Sequence, residues 1–139
     1  MAFLAYLLMM TYFLFLAEKY GRGFQAGELR YNLHPFQEIR RSIHWRHELG
    51  MQYVALNLFG NILIFIPFGA ILPVLLRSVR HAGRMFVLSI LMSLLIESLQ
   101  LVFGVGSFDV DDIILNTSGG MIGYCVFAVC NRIRRKIYG

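Results

Sequence analysis

Four carboxylates stand where this chain is least able to tolerate them. Glu97 interrupts the apolar run 85–103, and Asp109, Asp111 and Asp112 follow around a corner containing Gly104, Gly106 and Ser107. Asn116 lies inside the apolar run after that corner, Gln100 follows Glu97, and Asn57 and Asn61 interrupt an earlier run. A central aspartate in a membrane helix costs about 2.5–3.5 kcal/mol on insertion scales, so a group of such residues needs a reason. Several chemistries suit the set. Oxygen ligands of this kind suit a hard cation such as Mg²⁺ or Ca²⁺, although Asp-x-Asp-Asp is not a full calcium-loop pattern, and no metal is assigned. Carboxylates of unequal burial suit an acid and base pair, with Glu97, Asp109 and Asp112 as the catalytic candidates. The same groups suit recognition of a polar headgroup without turnover, with Asn57, Asn61, Glu97, Gln100, Asp109, Asp112 and Asn116 binding it. No cofactor follows from any of these.

Plainer roles compete. Asn and Gln join membrane helices by hydrogen bonds worth about 0.6–2 kcal/mol, and Asp111 or Asp112 suits a helix cap. For any single amide or aspartate those roles are favoured. For Glu97 they are not, because an intramembrane carboxylate is functional by default. His44-x-x-His47 followed by Glu48 lacks the zinc-protease spacing and reads as a solvated face. No Ser nucleophile elbow, phosphate loop or Cys–His pair is present.

The elements that carry these residues are hydrophobic. With 139 residues, 58% hydrophobic and 15% charged, the chain is one domain and too apolar for an ordinary soluble one. Its charges fall between apolar segments, so the net charge of +5 reflects topological anchors and not nucleic-acid binding. Cys125 and Cys130 point in different directions on one helix, which argues against a disulfide. The N-terminus lacks a basic region and a cleavage site, so it reads as a membrane helix and not a removed signal. Membrane helices are expected at about 1–17, 52–76, 85–103 and 112–130, because backbone polar groups in lipid must pair internally. Pro67 should kink the second, freeing a carbonyl at Asn61, Ile62 or Leu63. Gly119 and Gly123, with Gly120 added to the same side, predict a close helix contact. Pro35 starts a short amphipathic helix over about 35–47, with Phe36, Ile39 and Ile43 on one face and Trp45 at headgroup level.

Arg77, Arg80 and Arg84, together with the basic tail Arg132, Arg134, Arg135 and Lys136, place one side and both termini in the cytoplasm. The polar pairs Asn57/Asn61, Glu97/Gln100 and Asp112/Asn116 then all fall toward the outer boundary. The inner halves carry almost no such residues, which disfavours a transporter.

At this point the motifs match a known pattern. Asn57-Leu58-Phe59-Gly60-Asn61, then Phe65-Ile66-Pro67-Phe68-Gly69 and Leu72-Pro73, resembles the VanZ-like family. So do Asn32-Leu33-x-Pro35-Phe36-x-x-Ile39, Glu97-Ser98-Leu99-Gln100 and Phe108-Asp109-Val110-Asp111-Asp112 with Asn116, Gly119, Gly120 and Gly123. The resemblance runs over about 32–124. It implies a small, multi-pass protein of the bacterial cell membrane, connected with resistance to the lipoglycopeptide teicoplanin. It also implies that the seven binding residues named above belong to the family's motifs. Gly106 departs from it, since family members often carry Arg there; Arg40, Arg41 or Arg46 would have to hold an anion instead.

The expected architecture is all-α: a four-helix transmembrane bundle with a short amphipathic surface helix in the first loop. The expected function is recognition or modification of an amphipathic ligand in the outer leaflet: a lipoglycopeptide, a lipid headgroup or a lipid-linked wall precursor. The alternatives are a membrane enzyme using Glu97 with Asp109 or Asp112, and a structural or partner subunit with no ligand. Membrane lipids are the expected surroundings.

Overall fold

The computed structural model describes residues 2–21, 31–104 and 106–138. Helix α1 is Ala2–Gly21, strand β1 is Tyr31–Asn32, and the short helices α2 (Gln37–His44) and α3 (Arg46–Leu49) lead into α4 (Met51–Leu75). A 3-10 turn at Arg77–Val79 precedes α5 (Ala82–Val102), and strand β2 (Phe108–Asp109) precedes α6 (Val110–Tyr138). Among the described residues, Val54–Leu75, Ala82–Val102 and Val110–Tyr138 are long and apolar enough to cross a membrane. Phe3–Phe13, within α1, is a shorter apolar stretch, so three of the four expected spans are matched among the described residues.

Three expectations change. The predicted surface helix 35–47 is two pieces, parted at Trp45, whose φ of −90° and ψ of 16° leave the helical range. Helix α6 continues past Cys130 through the basic stretch to Tyr138, because no Gly or Pro stops it and cations suit a helix C-terminus. The chain is not purely helical: β1 and β2 pair in parallel, Tyr31 with Phe108 and Asn32 with Asp109. A two-residue ladder between such distant segments leaves no local periodicity to find. Arg22, Glu28 and Arg30 of the first loop lie outside the described residues.

Helix α6 is the centre, with α4 and α5 each packing on it more than on one another. Glycine explains how closely. A Cβ on Gly69 would overlap the Gly120 carbonyl, and one on Gly119 or Gly123 would overlap the carbonyl of Ile62 or Ile66. Gly120 was expected on that side but turns to α5, where a Cβ would meet Ser89. Consecutive helical residues point about 100° apart, so one Gly-Gly pair opens two interfaces.

The apolar core joins Tyr6 and Met10 of α1 to Phe65, Phe68 and Leu72 of α4 and to Met85 and Ile96 of α5. Helix α4 continues through Pro67 and Pro73. The Tyr6 hydroxyl accepts the Phe68 N–H at 3.1 Å and donates to the Ile64 carbonyl, lying across the rung beside Pro67. The carbonyl that Tyr6 engages is that of Ile64, next to Leu63, whose carbonyl the proline ring cannot serve. At the opposite end of the bundle, Arg80 Nε donates to the Pro73 carbonyl at 2.9 Å, and the Tyr124 hydroxyl donates to the Arg80 carbonyl at 2.9 Å. Outward faces carry exposed Leu56, Phe59, Leu63, Leu91, Leu95, Ile122 and Val126, the surface that lipid requires.

Candidate functional site

Ser89, Ser93, Glu97 and Gln100 recur at helical spacing on α5, and all are buried. The chain leaves α5 through Gly104, whose φ of 62° suits glycine, and returns as β2. That return brings the Asp109 N–H to Glu97 Oε2 at 3.0 Å. Asp109 is fully buried, and its Oδ1 accepts from Asn32 Nδ2 at 3.2 Å and from the Asp111 N–H at 2.9 Å. A side chain accepting the amide two residues on, just before the helix starts, is an N-cap. Asp109 therefore caps α6, where the sequence predicts Asp111 or Asp112.

Asp111 reaches away from its own helix. Its carboxylate accepts the Phe36 N–H, the Glu38 N–H at 2.8 Å and the Ile39 N–H at 3.1 Å. These amides open α2, so an acid on α6 supplies the acceptors that the start of α2 lacks and complements its positive end. Phe36 holds a left-handed φ of 65°, an unfavourable conformation for a bulky residue that this triple contact maintains. The first loop is thereby clasped to the corner.

Across the bundle, Asn61 Nδ2 on α4 donates to Asp112 Oδ1 at 2.7 Å, and Asn116 Nδ2 on α6 donates to Ser93 Oγ on α5 at 2.9 Å. The structure thus joins Glu97 to Asp109 and Asn61 to Asp112, and buries Gln100 on the Glu97 face. Asn57, half-buried one turn before Asn61, is tied to none of them by a hydrogen bond among the described residues. Sequence reasoning took Asp111 for a cap of its own helix or a cation ligand and Asn32 only for part of a motif, and it passed over Ser93. The four-residue step Ser89, Ser93, Glu97 was the available signal, but membrane serines commonly bond their own helix. Ser98 and Ser118 do so, to the Leu94 and Ile114 carbonyls at 2.7 Å each.

Buried polar groups also continue along α5 to Ser89, a serine that the sequence reading did not weigh. Among the described residues, Ser89 Oγ, Asn116 Oδ1 and Thr117 Oγ1 are buried without a hydrogen-bond partner. No three His, Cys, Asp or Glu side chains among the described residues group as a metal would need, since these carboxylates face backbone and amide N–H groups.

Two hollows lie nearby in the chain. An apolar groove of about 420 Å³ runs between α1 and α4, lined by Met9, Phe13, Leu56, Phe59, Leu63 and Pro67. A shallow basic hollow of about 650 Å³ is lined by Arg40, Arg41, His44, Trp45, Arg46 and His47.

A family model described as VanZ/LLP1 matches residues 3–131. Protein VanZ of Enterococcus faecium is 33% identical over 76 residues, covering 55% of this chain and 47% of the relative. The chain spans about half the length of that curated relative. No solved structure matches it.

Proposed function

This chain belongs to the VanZ/LLP1 family, and from that premise we propose that it recognises an amphipathic ligand in the outer leaflet and contributes to teicoplanin resistance. In this reading α1 supplies a fourth span, both termini are cytoplasmic, and the protein is a multi-pass component of a bacterial cell membrane. The observation that carries it is the convergence at one end of the bundle. Helices α4, α5 and α6 deliver Asn61, Glu97 and Asp112 there, and Asp111 clasps the first loop over the same corner. The apolar groove of α1 and α4 offers a place for an acyl chain, while the corner and its loop meet the polar end. Asn57, Gln100 and Asn116 complete the polar lining. Lipoglycopeptides and lipid-linked wall precursors both have this two-part chemistry.

The test is drug susceptibility in a teicoplanin-sensitive Gram-positive host. The chain should raise the inhibitory concentration of teicoplanin more than that of a glycopeptide without an acyl chain. Asn57→Ala, which removes no described hydrogen bond, should lower that protection at unchanged membrane abundance. Protection intact in Asn57→Ala and in Gln100→Ala would remove the pocket as its cause.

A second reading has its own support. Glu97, Asp109, Asp111 and Asp112 all accept or make internal contacts, as expected of a structural membrane subunit held together by polar joints. Under it, all loss of protection would track loss of folded protein. An enzyme using Glu97 with Asp109 or Asp112 as acid, base or cation ligands predicts instead a modified lipid or drug, lost in Glu97→Gln.

A further inference from the structure

Resting on the reading of an outer-leaflet ligand, we propose that the ligand's polar end is an anionic phosphate of a membrane lipid, held in the basic hollow of α2 and α3. The hollow is lined by Arg40, Arg41 and Arg46 with His44, His47 and Trp45, and among the described residues no acidic one lines it. Glu38 pairs with Arg41 at 3.2 Å, and among the described residues Arg40 and Arg46 pair with no carboxylate. Guanidinium groups present a planar fork of donors that matches phosphate oxygens, and they are less strongly hydrated than ammonium groups.

Height favours a lipid over a soluble anion. The apolar run of α4 begins at Val54, seven residues after His47, so the hollow stands at the boundary where phosphates of a bilayer lie. Trp45 is half-exposed and edge-on to His44, with ring centroids 5.5 Å apart, as suits an interfacial aromatic. Just below, exposed Leu56 and Phe59 line the apolar groove, so chains and headgroup have adjoining places. Asp111 makes the hollow a built feature. By holding the amides of Phe36, Glu38 and Ile39, it fixes the helix that carries Arg40 and Arg41. An acid on α6 thus positions the cations of the first loop.

Trp45 is the single tryptophan of the chain, so its emission reports the hollow alone. The full chain, purified in a non-ionic maltoside detergent, is titrated with dioctanoyl phosphatidylglycerol, dioctanoyl phosphatidylcholine and inorganic phosphate. Phosphatidylglycerol should give a saturable change, phosphatidylcholine should bind about tenfold more weakly, and inorganic phosphate should give none. Arg40→Ala/Arg46→Ala should weaken phosphatidylglycerol binding by about tenfold or more, and Arg40→Lys/Arg46→Lys should recover part of it. Asp111→Asn should weaken it too, with the arginines in place. Equal response to the two lipids would mean that the chains alone bind, and an equal response to inorganic phosphate would mean a soluble anion site; either overturns the proposal. So does unchanged binding in the double alanine variant. Drug susceptibility of the same variants separates the two levels. Lipid binding lost with protection intact supports the phosphate site and removes its part in resistance, whereas protection lost with lipid binding intact overturns the phosphate site alone.

Discussion

Helix α6 meets its two neighbours with a different balance of close packing and hydrogen bonds. Toward α4 it presents Gly119 and Gly123, so that backbone lies on backbone with no side chain between, and Gly69 answers from the other helix. Toward α5 it presents Asn116 to Ser93, and through β2 and Asp109 it meets Glu97. The first contact is defined by shape and admits no added atom. The second is defined by which donors meet which acceptors. In lipid there is little hydrophobic force between helices, so close packing and hydrogen bonds are the means available, and this helix leans on the first toward α4 and on the second toward α5. Dispersion across a tight contact acts along its whole length, whereas a hydrogen bond acts at a point.

The contrast can be broken most severely at Gly69. Gly69→Ala places a methyl into the backbone of Gly120 and Tyr124, which are not able to turn aside, so destabilisation should reach about 3 kcal/mol, the upper end for overpacking. Its control is Gly60→Ala, where the nearest atom is the Phe13 ring at 3.9 Å and the change should stay within about 0.5 kcal/mol. Unfolding of both variants in mixed detergent micelles measures the gap, and equal effects would dissolve the distinction between the faces.

Next in size is Asp111→Ala, which strips a charged acceptor from three amides at the start of α2 and should cost about 2 kcal/mol locally. Amide exchange at 36, 38 and 39 should accelerate while the interior of α6 stays protected. Acceleration in both places would mean that the loop and the bundle open together. Smaller again is the Asn61–Asp112 bond, the one described polar joint between α4 and α6. A double-mutant cycle with alanine should return a coupling of about 1 kcal/mol. Smallest is Ser93→Ala, about 0.6 kcal/mol, the average for one hydrogen bond between membrane helices. A loss comparable to Gly69→Ala would show the polar face to be as unforgiving as the glycine face.

The sequence by itself determined the apolar segments, the polar positions within them and the family to which the motifs belong. Those follow from local rules: how many apolar residues cross lipid, where charge is unwelcome, and which residues share one side of a helix. It also led to Asn61, Glu97, Asp109 and Asp112, because a carboxylate or amide in an apolar run stands out whatever surrounds it. Only the tertiary structure decided what those groups do for one another. That Asp109 caps its own helix, that Asp111 caps a helix more than seventy residues away, and that Gly119 and Gly120 serve different neighbours depend on which surfaces meet. Tyr6 reached the rung beside Pro67 for the same reason. A residue's chemistry is written in its side chain, but its partner is set by the path of a distant segment, and no spacing within one helix carries that information.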